Sequence, residues 1–396
     1  MNVDEFVRDT LREQAGEQQA APPGFADRVL AVRRRRRTRR LAAVAAAVAI
    51  AVAVPLVDSR WTEVLPASVV GPEGGGVTAH PDQSPPRDMI AAGRTALAAY
   101  YTLKTVKHGA DRAVATRTYW LLNPKTRTYE RTAKWSWVAV APGLRTAAVL
   151  EQGLPARRIG LLDLASGQIK RWISVDHPVG GLAFSRDGTK IVATAYGGNP
   201  DERYKIEGVP DWQTDPRAAD RNGFLVVDVA SGSSSWAEVG GDVTNLNSRQ
   251  DFAFSRDGRF VWSGADTPSG HQYFDRQGNE VEAPSGEGQV DWFVAAGLSP
   301  DGKRVAGDFA GERMKTSSWI LDPRTGRHIT EVHGQQLLSW ADDNTLVAWD
   351  TGGKGGEFHN RLVLVTIGSD KVVPLSGFRT GNAAAAGRWV PVFADR

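Results

Sequence analysis

From Gly93 to the C-terminus the chain repeats one phrase of apolar and polar positions. An apolar run is followed by a Ser-x-Asp-Gly turn, a second apolar run, and an Asp-x-x-(Ser/Thr)-Gly turn. The phrase reads LAFSRDGTKIVATA over Leu182 to Ala195, FAFSRDGRFVWSGA over Phe252 to Ala265, and AGLSPDGKRVAGDF over Ala296 to Phe309. The second turn closes LLDLASG at Gly167, VVDVASG at Gly232 and ILDPRTG at Gly326. Short apolar runs bounded by such turns predict strands, because Asp accepts local backbone hydrogen bonds and Gly takes positive φ without a Cβ penalty. A repeat of roughly 40 residues made of short strands predicts a radial array of small sheets, a β-propeller.

Each unit reads as four strands. The innermost are expected at Trp137 to Pro142, Gly180 to Ser185, Asp251 to Ser255, Val294 to Ser299 and Leu337 to Asp342. One interval is stretched by a polar, Pro-containing insertion from Gly197 to Asn222. At the chain ends, RWVPVFADR (Arg388 to Arg396) aligns with an innermost strand and GRTALAAYYT (Gly93 to Thr102) with a second strand. The two ends together therefore complete one unit, which removes exposed sheet edges. The expectation is an all-β, six-bladed β-propeller, with seven blades as the runner-up, over residues 92–396 and behind a single N-terminal transmembrane helix.

The net charge of +3 conceals an asymmetry. Residues 1–40 carry ten Arg against six acidic residues, leaving 38 basic and 39 acidic residues for the remainder. The propeller is nearly neutral, so no nucleic-acid partner is expected. The basic charge is concentrated at 33–40, RRRRRTRR, and Leu41 to Val57 follows as seventeen apolar residues. As a helix this segment rises about 25 Å, near the short limit for a ~30 Å hydrocarbon core. Arginines on its N-terminal side place the N-terminus in the cytoplasm. The sequence thus predicts a cytoplasmic basic tail (1–40), a signal anchor (41–57), a Pro/Gly-rich linker (58–91) and an extracytoplasmic propeller (92–396). Its partners are the cell membrane through 41–57 and anionic lipid headgroups near Arg33 to Arg40. Cleaved export ending at Ala51-Val52-Ala53, a twin-arginine signal and a buried core helix are the other readings of this region.

Chemistry is sparse. There is no Cys, no G-x-S-x-G and no H-E-x-x-H. His328 and His333 fall on an expected strand with opposite-facing side chains, Asp187, Asp257, Asp301 and Asp343 fall in turns, and 352–356 (GGKGG) reads as a flexible loop. No cofactor and no metal site are expected. Most of the thirteen Trp sit inside strands, where blade packing accounts for them. Trp212 is different, since it lies in the long insertion beside Asp211 and Asp215, with Arg203 and Tyr204 upstream. Long loops in compact domains are often functional. Arg203, Tyr204, Asp211, Trp212 and Asp215 are therefore the candidate binding residues, for an envelope protein or other ligand.

The FSRDG, LSPDG and LLDLASG phrases resemble the WD40-like repeats of bacterial TolB-type propellers over about residues 92–396. Trp349-Asp350 is the single Trp-Asp pair and ends a second strand, unlike eukaryotic WD40 blades. With its Ala/Arg-rich anchor, the chain is similar to membrane-anchored WD40-like repeat proteins of actinobacteria. That resemblance implies the cell membrane and an extracytoplasmic propeller, and no particular activity. The expected function is a non-catalytic binding or sensing module at the cell envelope. Alternatives are an anti-sigma-like transmembrane regulator with a cytoplasmic partner on N-terminal helices, read from the apolar faces Val3, Phe6, Val7 and Leu11 and Phe25, Val29 and Leu30, and a propeller lyase or hydrolase.

Overall fold

The computed structural model describes residues 76–396 apart from 209–210, 215–218, 242–248, 266–269, 292, 312–315, 353–357 and 380–387. The chain divides into two units, Met1–Leu65 and Pro66–Arg396, and every described residue belongs to the second. The basic tail, the anchor at 41–57, most of the linker and Asp215 lie outside the described residues.

All the named elements are β-strands, and they form an all-β propeller. The chain begins with β1 (Ala91–Ala92), β2 (Thr95–Lys107), β3 (Arg112–Asn123) and β4 (Thr128–Thr132). It continues through β5 (Trp135–Val140), β6 (Thr146–Glu151), β7 (Ala156–Asp163), β8 (Gln168–Phe184), β9 (Lys190–Tyr196) and β10 (Glu202–Tyr204). Next come β11 (Arg221–Asp228), β12 (Ser234–Glu238), β13 (Ala253–Phe254), β14 (Val261–Gly264), β15 (His271–Phe274) and β16 (Glu280–Val281). The last third holds β17 (Val305–Phe309), β18 (Ser317–Leu321), β19 (His328–His333) and β20 (Gln336–Trp340). It ends with β21 (Thr345–Asp350), β22 (Arg361–Thr366), β23 (Val372–Pro374) and β24 (Trp389–Asp395).

The strands do not fall into six separate four-stranded sheets. They form five, of six, seven, four, three and four strands. The physical reason is β8, which runs unbroken for 17 residues. Its first half pairs with β7 and its second half with β9, so two antiparallel units share one strand. The expected innermost strand at Val294 to Ser299 is reduced to a single bridge, Leu298 to Val305, beside the three-stranded β17–β18–β19 sheet. β24 pairs with β2 from Thr95↔Asp395 to Thr102↔Trp389, joining the C-terminal strand to the sheet of β2, β3 and β4.

The turns explain the repeat. Asp187 Oδ1 accepts from Ser185 Oγ (2.6 Å) and Thr189 N (3.0 Å), and Gly188 sits at φ 71°. Asp257 and Asp301 repeat this with Ser255 and Ser299. In the β20–β21 turn the acceptor is Asp342, which binds Asn344 N and Thr345 N, rather than the neighbouring Asp343. At the position of Gly167, Gly232 and Gly326, the β3–β4 turn carries Arg127 at φ 58°.

Residues 76–91, assigned to the linker by composition, belong to the folded body. Thr78 bridges Ala91, Asp88 bridges Thr128, Gly377 N donates to Gln83 O, and Ile90 is buried. The apolar Met89–Ala92 run supplies core, and the residues before it bond to Thr128 and Tyr129 on β4 and to Leu375, Ser376 and Gly377 just beyond β23. Tyr100, stacked at 5.1 Å on Trp120 and edge-on to Trp389, anchors this side by donating to Pro86 O.

Candidate functional site

The insertion is organised by one acid. Asp201 is 2% exposed and accepts from Arg117 on β3 through both Nη atoms, at 2.5 and 3.0 Å. Arg249, arriving from the β12–β13 connection, donates to Asp201 Oδ1 (3.0 Å) and Asp251 Oδ2 (2.9 Å). Tyr196 OH donates to Asp251 Oδ1 at 3.0 Å. Both guanidiniums lie over Trp137, Arg249 at 4.0 Å and Arg117 at 4.9 Å from the ring centroid. Burial opposes the Asp201 charge, but Arg249 and Arg117 outweigh it and hold its pKa below the usual carboxylate range. Gly181 makes this arrangement possible, since a Cβ there would lie 1.9 Å from Asp251 Oδ1.

From Asp201 the insertion adds β10 to the edge of β3, with Glu202↔Val114, Arg203↔Ala113 and Tyr204↔Arg112. The β2–β3 hairpin is longer than the apolar pattern predicts, because its outer part alternates polar and apolar residues, with Leu103 and Val106 exposed. Hairpin and insertion together form one wall of a cleft of about 1060 Å³.

This cleft separates the candidate residues. Arg203, Asp211 and Trp212 line it; Tyr204 does not. Successive residues of a strand face opposite ways, and Tyr204 instead accepts from Arg112 Nη2 at 3.1 Å beneath its guanidinium. Burial lowers the Arg203 pKa, with Asp201 only partly restoring it. Lys107 Nζ lies 5.9 Å from the Trp212 ring.

The opposite wall was not foreseen. It includes Phe293, Asp308 and Phe309 around β17, Gln335 and Leu337 near β20, and Trp349, Asn360, Arg379 and Arg388 towards the C-terminus. Asn360 Nδ2 donates to Gln335 Oε1 (3.1 Å), which turns Oδ1 towards the arginines. That oxygen accepts from Arg379 Nε (3.0 Å), Arg379 Nη2 (2.8 Å) and Arg388 Nη2 (3.0 Å). Arg379 lies 3.5 Å from the centroid of Trp349 and donates to Trp389 O at 2.7 Å. Among the described residues neither arginine has a carboxylate partner; Asp350 is engaged by Thr316 Oγ1 and Gly352 N. Burial, and after it the neighbouring Arg388, depress the Arg379 pKa. The signal available for these residues was only the pair of arginines flanking a small-residue run, FRTGNAAAAGRW.

A second cavity, of about 490 Å³, is bordered by β5, β8 and β24 near the axis and includes Tyr101, Trp137 and Phe393. His328 is exposed and stacked on Trp319 at 4.1 Å, and His333 stands at the other end of β19. No group of three or more potential metal ligands occurs among the described residues.

No protein-family model and no curated protein matches the sequence. Among solved structures, the chain is similar to TolB from Acinetobacter baumannii (15% identity, 72% of this chain and 66% of that one, TM-score 0.38). It is also similar to the β-propeller domain of the Trilobed protease from Pyrococcus furiosus (14%, 69% and 83%, TM-score 0.38). Hydrazine synthase of Kuenenia stuttgartiensis shows 13% identity, 60% and 65% coverage and a TM-score of 0.34. The chain therefore spans about two thirds of the hydrazine synthase and TolB chains. The site stands on its own geometry.

Proposed function

We propose that this protein is a non-catalytic binding module held at the cell envelope, with the ligand taken into the cleft capped by the insertion. The observation that carries this reading is the cleft of about 1060 Å³ in which Arg203, Asp211 and Trp212 face residues from β17 to β24. A site assembled from several sheets by a buried ion network is pre-organised, which lowers the cost of binding. Among the described residues its polar lining is made of arginines, Lys104, amides, scattered acids, Thr105 and Ser318, and Ser318 Oγ donates to the Gly334 carbonyl rather than to a base.

The proposal includes six blades. Supporting it are the units β24–β2–β3–β4, β5–β6–β7–β8, β8–β9–β11–β12, β13–β16, β17–β19 with its Leu298 bridge, and β20–β23, counting the two halves of β8 in successive units. It also includes a single span at Leu41 to Val57, with the propeller outside the cytoplasm, supported by the arginine block at 33–40. Among the described residues no helix is long and apolar enough to cross a membrane, and the proposed span lies outside them.

Protease treatment of intact cells carrying a tag at each terminus tests the topology. The expected result is loss of the C-terminal tag, with the N-terminal tag retained in the membrane fraction. Protection of both tags until lysis overturns the envelope location.

A further inference from the structure

Arg379 is 7% exposed, yet among the described residues its acceptors are neutral: the Asn360 amide oxygen and the Trp389 carbonyl. Burying a guanidinium without a counter-charge is costly. A second cation makes it more so. Arg388 converges on the same Asn360 Oδ1 and donates to Phe358 O at 2.5 Å, so two like charges share one uncharged oxygen. Packing does not require this, because Trp349 and Trp389 would be covered as well by an apolar side chain. An anion between the two arginines would relieve both the desolvation and the repulsion.

Each guanidinium also keeps N–H groups beyond those engaged. Arg379 has one further hydrogen on each Nη, since Nη1 serves Trp389 O and Nη2 serves Asn360. The planar fork of such groups matches a carboxylate or a phosphate. The same cleft holds Leu103, Phe293 and Phe309, which are large, apolar and exposed. The acids on its lining, Asp211 and Asp308, form no ion pair with either arginine.

We infer that Arg379 and Arg388 are the anion-binding end of the cleft, and that its ligand is a small molecule bearing a carboxylate or phosphate on an apolar body. This rests on the cleft being the binding site. Arg379 fixes the oxyanion against Trp349, Arg388 completes its neutralisation from the rim, and the exposed phenylalanines cover the apolar portion.

Calorimetric titration of the full-length protein with benzoate, phenyl phosphate and the neutral benzyl alcohol tests it. Saturable binding is expected for at least one anion, at least about tenfold tighter than for benzyl alcohol and at least about tenfold weaker in R388Q, as for loss of one charge-assisted hydrogen bond. Whichever of benzoate and phenyl phosphate binds more tightly distinguishes a carboxylate ligand from a phosphate. Arg388 is only partly buried, so R388Q is expected to fold where a change at Arg379 risks the core. Anion binding unchanged in R388Q overturns the assignment. Equal binding of benzyl alcohol, weakened by W212A, also overturns it while leaving the cleft as the site. Failure of all three to bind overturns both.

Discussion

Two arginine pairs, one seating the insertion and one lining the cleft, are built alike and balanced differently. Arg117 and Arg249 rest on Trp137; Arg379 rests on Trp349 with Arg388 beside it. In the first pair Asp201 and Asp251 sit among the guanidiniums. In the second the shared acceptor is the amide of Asn360. A buried cation with a carboxylate is a closed unit that fixes backbone in place, and here it seats the insertion on the β2–β3 hairpin. A buried cation pair on a neutral oxygen is electrostatically incomplete, and favours whatever anion completes it. The same side chain therefore serves as a fastener in one place and as a receptor in the other, according to whether the protein supplies the opposite charge.

Breaking the balanced pair should have the largest effect. Asp201→Ala leaves two buried guanidiniums facing each other, and about 3–5 kcal/mol of stability should be lost, read as a lower denaturation midpoint in urea. Acid should act on the same group. The folded pKa of Asp201 lies below its unfolded value, so its contribution is complete above about pH 4 and disappears as pH falls through the lower folded value. Acid unfolding of D201A should consequently be shallower than that of the wild type over that range.

Converting the unbalanced pair into the balanced kind should come next. Asn360→Asp places a carboxylate where three N–H donors already converge. Stability should rise by about 1–3 kcal/mol, the worth of hydrogen bonds to charged groups, and benzoate and phenyl phosphate should no longer bind. A rise in melting temperature without loss of anion binding would break the comparison. The smallest effect is expected from Arg388→Gln, which removes one like charge near the rim. Its unfolding free energy should change by no more than about 0.5 kcal/mol, whereas Arg117→Gln should destabilise strongly by stripping Asp201 of a partner.

The turns were the most legible part of the chain. Ser-x-Asp-Gly states its own structure, because the Asp side chain, the Ser hydroxyl and the positive φ of Gly are all satisfied within a few residues. Legibility fell where that local closure was missing. Arg127 adopts the left-handed conformation without the glycine that would announce it. The outer β2–β3 hairpin has exposed faces and little apolar contrast, so only its partner strand β10 gives it context. Composition misplaced 76–91, since prolines and polar residues that resemble a tether are held by long-range bonds to Ser376, Gly377 and Thr128. Of the candidate site, the insertion was conspicuous by its length; Arg203 and Trp212 line the cleft, whereas Tyr204 lies against Arg112, a facing set by the register of β10 against β3.

By itself the sequence determined the repeat, the all-β propeller class and the turn chemistry, together with the charge asymmetry of residues 1–40. These follow from interactions between residues close in the chain, or from sums over it. Only the tertiary structure decided that Arg117 meets Asp201 across 84 positions, that Arg388 and Arg379 converge on Asn360, and that one insertion closes a cleft against the far side of the molecule. Whether a buried charge is paired depends on which distant strand delivers a carboxylate to it, and no local pattern of residues encodes that delivery.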